Sequence, residues 1–133
     1  MEAKDVANML VKHEAEAKGY SDALMLDYRG QIAEATGANV FFKMPDGKLH
    51  TPLADCFLDG ITRRTVIDLA KKNGIEIVER KIMPEEMLDA EECFLTGTAA
   101  EVTPVQSIGD YKFTPGEYCL KLTEAYSNLV NGI

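Results

Sequence analysis

The sequence predicts an α+β domain built on one strongly curved mixed sheet with helices packed against it. Three observations carry that expectation. Short β-type runs succeed one another between Ala23 and Thr51 with turn residues between them, as in a meander. Helical periodicity appears over Ile61 to Lys72 and again in the closing segment. Isolated strands around Ile75 and Cys93 lie between those helices, where only a shared sheet would pair them. With 133 residues the chain is long enough for one real core and short for two, so a single domain over 1–133 is expected.

The first element is expected to be a helix over Lys4 to Lys18, because Val6, Met9, Leu10, His13 and Ala17 recur at three- and four-residue spacing before Gly19. Ala23 to Asp27, Gln31 to Ala35 and Asn39 to Lys43 read as strands, divided by Tyr28-Arg29-Gly30 and Thr36-Gly37. Pro45-Asp46-Gly47 is a turn signal before a further strand, Lys48 to Thr51. From Ile61 to Lys72, Val66, Leu69 and Ala70 share a helix face, and Asn73-Gly74 stops the helix before the alternating Ile75-Glu76-Ile77-Val78. Pro84 suits a first helical position and Glu85 and Glu86 favour a first turn, which predicts a short helix there. A strand follows over Cys93 to Thr96, and then a polar, glycine-containing stretch. Thr114-Pro115-Gly116-Glu117 has the form of a capping box, and Cys119, Leu122, Tyr126, Leu129 and Val130 mark the buried stripe of a final helix.

Apolar residues make up 46% of the chain and charged residues 27%, the composition of an ordinary globular protein. A net charge of -8 argues against a general nucleic-acid or anionic-membrane binder, although Arg63, Arg64, Lys71 and Lys72 leave room for a local anion site. No apolar run is long enough to span a bilayer and the first residues do not read as a signal peptide, so the cytoplasm is the expected compartment. Cys56, Cys93 and Cys119 are odd in number and lack CxxC spacing, so they read as reduced, small apolar side chains. His13 and His50 stand alone, His13 on a helix surface, and no metal site is expected.

Three features invite chemistry. Gly60-Ile61-Thr62-Arg63 stands at a helix start, where unpaired N–H groups and the helix dipole favour a phosphate; a simple cap is the other reading. Thr96-Gly97-Thr98-Ala99-Ala100 follows a strand, and its small residues and hydroxyls would let backbone N–H groups approach a ligand, or merely form a tight loop. Glu34 ends a strand before Ala35-Thr36-Gly37-Ala38, either solvated or, if buried, paired with a cationic partner such as a protonated ring nitrogen.

Together, Glu34-Ala-Thr-Gly-Ala-Asn-Val-Phe41, Leu58-Asp-Gly-Ile-Thr-Arg63 and Phe94-Leu-Thr-Gly-Thr-Ala-Ala-Glu-Val-Thr-Pro-Val105 resemble, in order and spacing, the motifs of the class IV aminotransferases. The third motif is similar to branched-chain aminotransferases more than to D-amino acid aminotransferases or aminodeoxychorismate lyases. The likeness runs from about Asn8 to Gly132, and implies the fold of the C-terminal, cofactor-binding domain of the pyridoxal phosphate enzymes of that type. It implies pyridoxal phosphate as cofactor, amino acids and 2-oxo acids as substrates, and a homo-oligomer. By position, Glu34 would pair with the pyridine nitrogen, Ile61 and Thr62 would hold the phosphate with Thr98, and Leu58 would cover one ring face. Thr98 and Ala99 would receive the substrate carboxylate, and Arg63 would give electrostatic support.

The resemblance also implies differences. An acid or serine is common in the family where this chain has Ala38. The family's Schiff-base lysine falls immediately before Met1 in this numbering, its following tyrosine position holds Asp5, and Lys4, displaced by about a helical turn of 5 Å, is read as a solvated helix residue. No catalytic residue is therefore expected within the chain, and its N-terminal partner domain is expected to be absent. Three readings follow: a domain descended from a transaminase acting on leucine, isoleucine or valine with 2-oxoglutarate, inactive by itself; a non-catalytic module that binds pyridoxal phosphate weakly or self-associates; or the cofactor domain of another class IV enzyme, a D-amino acid aminotransferase or aminodeoxychorismate lyase.

Overall fold

The structure is a computed structural model that describes residues 4–8, 22–26, 32–35, 38–53, 61–97, 101–108, 111–114 and 116–132, with the backbone alone at 4–8, 22–26, 33–35 and 101. Its strands are β1 (Lys4–Asn8), β2 (Asp22–Leu26), β3 (Ile32–Ala35), β4 (Asn39–Lys43), β5 (Leu49–Pro52), β6 (Ile77–Arg80), β7 (Glu92–Gly97), β8 (Glu101–Ile108) and β9 (Tyr111–Lys112). Helix α1 (Ile61–Lys72) links β5 to β6, a 3-10 turn (Pro84–Leu88) links β6 to β7, and α2 (Glu117–Val130) follows β9.

The nine strands among the described residues join one mixed sheet in the order β3-β2-β1-β8-β7-β4-β5-β6, with β9 paired to β8. β1 runs parallel to both β2 and β8, and β5 parallel to β6, while the other pairings are antiparallel. The Ile32 N–H of edge strand β3 donates to the Ile82 carbonyl just beyond the opposite edge, at 2.8 Å. Only a strongly curved sheet brings its two edges so close, so the expected α+β architecture with a curved mixed sheet stands.

β4 and β7 read as nearly continuous apolar runs because both of their faces are covered. On one face Phe41, Phe94 and Val102 pack beneath Val66, Ile67 and Ala70 of α1 and Cys119 and Leu122 of α2. The Phe41 and Phe94 rings stack there at 5.1 Å. On the other face Val40, Phe42, Leu95 and Val105 meet Ile82, Met87 and Phe113. Side chains alternate along a strand, so one short segment feeds both cores.

Helix α1 occupies the predicted span. Its end is a Schellman arrangement: the Ile75 N–H donates to the Ala70 carbonyl at 2.9 Å and the Gly74 N–H to Lys71 at 3.2 Å, with Gly74 at φ 74. The Pro45-Asp46-Gly47 turn also forms, with Gly47 at φ 81 and the Asp46 carboxylate accepting from the Lys48 N–H at 2.9 Å.

Four local expectations are corrected. Lys4–Asn8 is a strand, not the start of a helix, because its backbone pairs with β2 and β8 on both sides; 9–18, with His13, lie outside the described residues. The alternating strand begins at Ile77, since Ile75 completes the end of α1 and the Glu76 carbonyl accepts from the Leu49 N–H. The stretch after Gly97 contains the eight-residue β8. Its alternation is broken, because Lys4 faces Val105 while Asp5 faces Ser107, and that extra residue lets Val105 and Ile108 enter the same core. Finally, Thr114 caps nothing: the N-cap of α2 is Gly116, and a distant carboxylate supplies the acceptor.

That carboxylate is Glu92, 3% exposed at the start of β7. Its Oε1 accepts from the N–H groups of Gly116 and Cys119, both at 3.1 Å, and its Oε2 from that of Tyr118 at 3.3 Å. A buried negative charge thus meets the positive end of a helix and satisfies three of its donors. Gly116 permits the approach, since a Cβ there would stand 3.0 Å from the Glu92 Cδ.

Candidate functional site

One end of the sheet gathers two of the three sequence features. Asn39, at the start of β4, lies opposite Thr96 at the end of β7, and Thr96 lies opposite Val102 at the start of β8. The neighbouring end of β5 belongs to the same edge, because the Thr51 hydroxyl donates to the Val40 carbonyl at 2.8 Å. Helix α1 starts there too: the Arg63 guanidinium in its first turn donates to the Pro52 carbonyl at 3.0 Å. The start of α1 and the Thr96-Gly97 end of β7, apart in sequence, therefore face a common corner.

The first turn of α1 contains no acidic residue, although an acid would normally suit the positive end of the dipole. It holds Arg63 and Arg64 instead. Arg63 is fully buried and also donates to Glu79 Oε1 at 3.0 Å, so it braces the helix start against β5 and β6. Thr62 is buried, whereas the Ile61 side chain is 87% exposed, leaving the backbone as what Ile61 can offer inward. An electropositive helix start with a threonine in its first turn is suited to an anion.

Of the other predicted site residues, Glu34 is described by its backbone, which in β3 pairs with Met25 of β2. Lys4 opens β1 opposite Val105, three residues along β8 from the row of Thr96. Leu58, Thr98 and Ala99 lie outside the described residues. Sequence reasoning counted Thr96 in the polar turn but gave it no role of its own. Its side chain is wholly buried, and among the described residues its hydroxyl meets no hydrogen-bond partner. Its place two residues after Phe94 was the available signal, since that spacing sets it on the same face.

His50, read as isolated, belongs to a second polar cluster. A guanidinium can only donate, so the Arg80 Nε–H donates a hydrogen bond to His50 Nδ1 at 2.8 Å, and the ring's Nε2–H faces Asp46 Oδ2 at 2.9 Å. Arg80 also donates to Glu86 Oε1 at 2.7 Å. The Lys48 N–H, with His50 second, holds the Asp46 carboxyl below its ordinary range, and Arg80 does the same for Glu86. This cluster ties the 45–47 turn to β6 and the 3-10 turn.

Cys93 and Cys119 are buried free thiols. Burial pushes Cys119 up to about 11 and Cys93 well above the usual thiol value, so neither is a nucleophile near neutral pH. Among the described residues no set of His, Cys, Asp and Glu side chains could hold a metal, and no helix is long and apolar enough to cross a membrane.

Comparison with known proteins adds the context. The family model "Amino-transferase class IV" matches residues 4–108. A probable branched-chain-amino-acid aminotransferase of Rickettsia bellii is 47% identical over 131 residues, covering 94% of this chain and 45% of the relative. The branched-chain-amino-acid aminotransferase of Pseudomonas aeruginosa is 41% identical over 130 residues, covering 96% and 42%. The chain thus spans less than half the length of these curated relatives. Among solved structures, the branched-chain aminotransferase of Thermoproteus uzoniensis with norvaline superposes with a TM-score of 0.93 at 33% identity, covering 98% of this chain and 52% of that one. An aminotransferase from Brucella abortus bound to the cofactor PLP gives 0.89 at 25% identity, covering 98% and 55%.

Proposed function

This chain belongs to the class IV aminotransferases, and from that membership we propose that residues 1–133 form the pyridoxal-phosphate-binding domain of a branched-chain-type transaminase. The activity proposed for the full-length architecture of the relatives is amino transfer between leucine, isoleucine or valine and 2-oxoglutarate. The observation that carries the reading is the shared corner of the α1 start and the Thr96-Gly97 end of β7, two family motifs brought together by strand register. The residues present fit a phosphate ester: the start of a twelve-residue helix, a buried threonine in its first turn and no acidic residue within that turn.

When bound, pyridoxal phosphate supplies a ring that accepts electrons from a carbanion next to the amino nitrogen. The chain's own residues orient and tune it. In the proposed roles, Ile61 and Thr62 hold the phosphate through backbone N–H and hydroxyl, with Thr98 as a further ligand. Glu34 keeps a proton on the ring nitrogen, and Leu58 covers one ring face. The N–H groups at Thr98 and Ala99 hold a substrate carboxylate. Arg63 keeps the cradle in place through Pro52 and Glu79.

The cytoplasm is the proposed compartment, in keeping with buried thiols that are unpaired. Association with a second copy is also proposed, supported by Leu88, Leu120 and Val130, which are 78%, 72% and 62% exposed.

Calorimetric titration of the chain with pyridoxal phosphate tests the proposal. The parent should bind, and Glu34→Ala should weaken binding by about 10- to 100-fold, one hydrogen-bonded ion pair, while its thermal melt stays cooperative. Equal binding by the variant would remove Glu34 from the ring-nitrogen role.

A further inference from the structure

Leaving a buried hydroxyl unpaired is costly, and folded proteins hold few such groups. Thr96 is one among the described residues. Valine would fill the same volume in a strand without that penalty, so the hydroxyl calls for a partner.

Its location narrows the choice. Thr96 follows Phe94 by two positions, so both project to one face, the face on which Phe94 and Val102 pack against Val66 of α1. Thr62 stands one helical turn before Val66, nearer the start of α1, and Thr96 stands one row beyond Phe94, towards the same corner. The hydroxyl therefore lies on the α1-covered face at the end where that helix begins. Two independent features point to a ligand there: a twelve-residue helix whose first turn has no acid, and a buried hydroxyl with nothing to bond.

We propose that Thr96 is a phosphate ligand, donating its hydroxyl proton to an anionic oxygen held at the start of α1. Its hydrogen bond adds a donor from the sheet side to those of the helix start. The inference rests on the pyridoxal phosphate reading for the identity of the phosphate's bearer, while the anion itself follows from the corner's own donors.

The test uses the 133-residue chain with Thr96→Val and Thr96→Ser. Binding of pyridoxal phosphate, inorganic phosphate and phosphate-free pyridoxal is followed by calorimetry, and thermal melts are recorded without ligand. Thr96→Val should melt at or above the parent temperature, because it removes an unpaired polar group. It should also bind pyridoxal phosphate about tenfold more weakly, the loss of one charge-assisted hydrogen bond, with inorganic phosphate weakened too and pyridoxal unchanged. Thr96→Ser should stay within about threefold of the parent. If Thr96→Val binds pyridoxal phosphate like the parent, melts lower or does not fold, the hydroxyl is structural and the inference is overturned while the cofactor reading stands. If the parent binds neither pyridoxal phosphate nor phosphate, both are overturned.

Discussion

Glu92→Ala should destabilise the domain by about 3 kcal/mol, through a helix end that only tertiary structure supplies with an acceptor. Three N–H groups, of Gly116, Tyr118 and Cys119, donate to the Glu92 carboxylate at 3.1, 3.3 and 3.1 Å. A buried donor left without a partner costs roughly 1–3 kcal/mol, which would sum to ~3–9 kcal/mol here. Gly116 and Tyr118 are only half-buried and water can serve them, while losing a buried charge recovers part of its desolvation cost, so the low end applies. For a domain of this size about 3 kcal/mol lowers the melting temperature by roughly 10 °C. Glu92→Gln keeps one acceptor oxygen and should cost about 1–2 kcal/mol. Glu92→Leu separates capping from packing: it fills the space and accepts nothing, so it should resemble alanine. Urea unfolding followed by circular dichroism at constant m-value reads all three. A loss below about 1 kcal/mol for Glu92→Ala, or full stability for Glu92→Leu, would refute the capping argument.

Two further outcomes follow from burial and register. Cys119 is raised to about 11 from an unfolded value near 9, so the unfolded chain loses that proton first, and stability present below pH 9 should fall between pH 9 and 11 by about 2–3 kcal/mol. Urea midpoints at pH 8 and 10.5 measure this, and Cys119→Ala should make the fall smaller without abolishing it, because buried Cys93 loses stability over the same range; an unaltered slope would sink the assignment. Lys4 pairs opposite Val105, roughly 10 Å along the strand from the Val102 row, so borohydride reduction with pyridoxal phosphate should give no preferred label at Lys4, and Lys4→Arg should bind the cofactor like the parent. Stoichiometric labelling of Lys4 would contradict that placement.

Local chemistry was enough to read several parts of this protein from its sequence. Ile61–Lys72 is bounded by its own periodicity and by Asn73-Gly74, and the 45–47 turn by proline, aspartate and glycine, so both appear where expected. The family motifs around Glu34, Ile61 and Gly97 were legible as well, because their residue types and spacing stand out in one dimension. Other features depend on partners remote in the chain. Lys4–Asn8 carries a helical pattern, yet neighbours on both sides make it a strand. β8 escaped notice because the extra residue opposite Lys4 and Asp5 breaks the alternation that marks a strand. Glu92 caps a helix twenty-odd residues away, and His50 finds Arg80 across the sheet. The sequence by itself determined which chemistry the chain can offer. Tertiary structure decided which of those groups meet, because strand register sets Asn39, Thr96 and Val102 in one row beside the start of α1, and register is a relation between segments that no single segment contains.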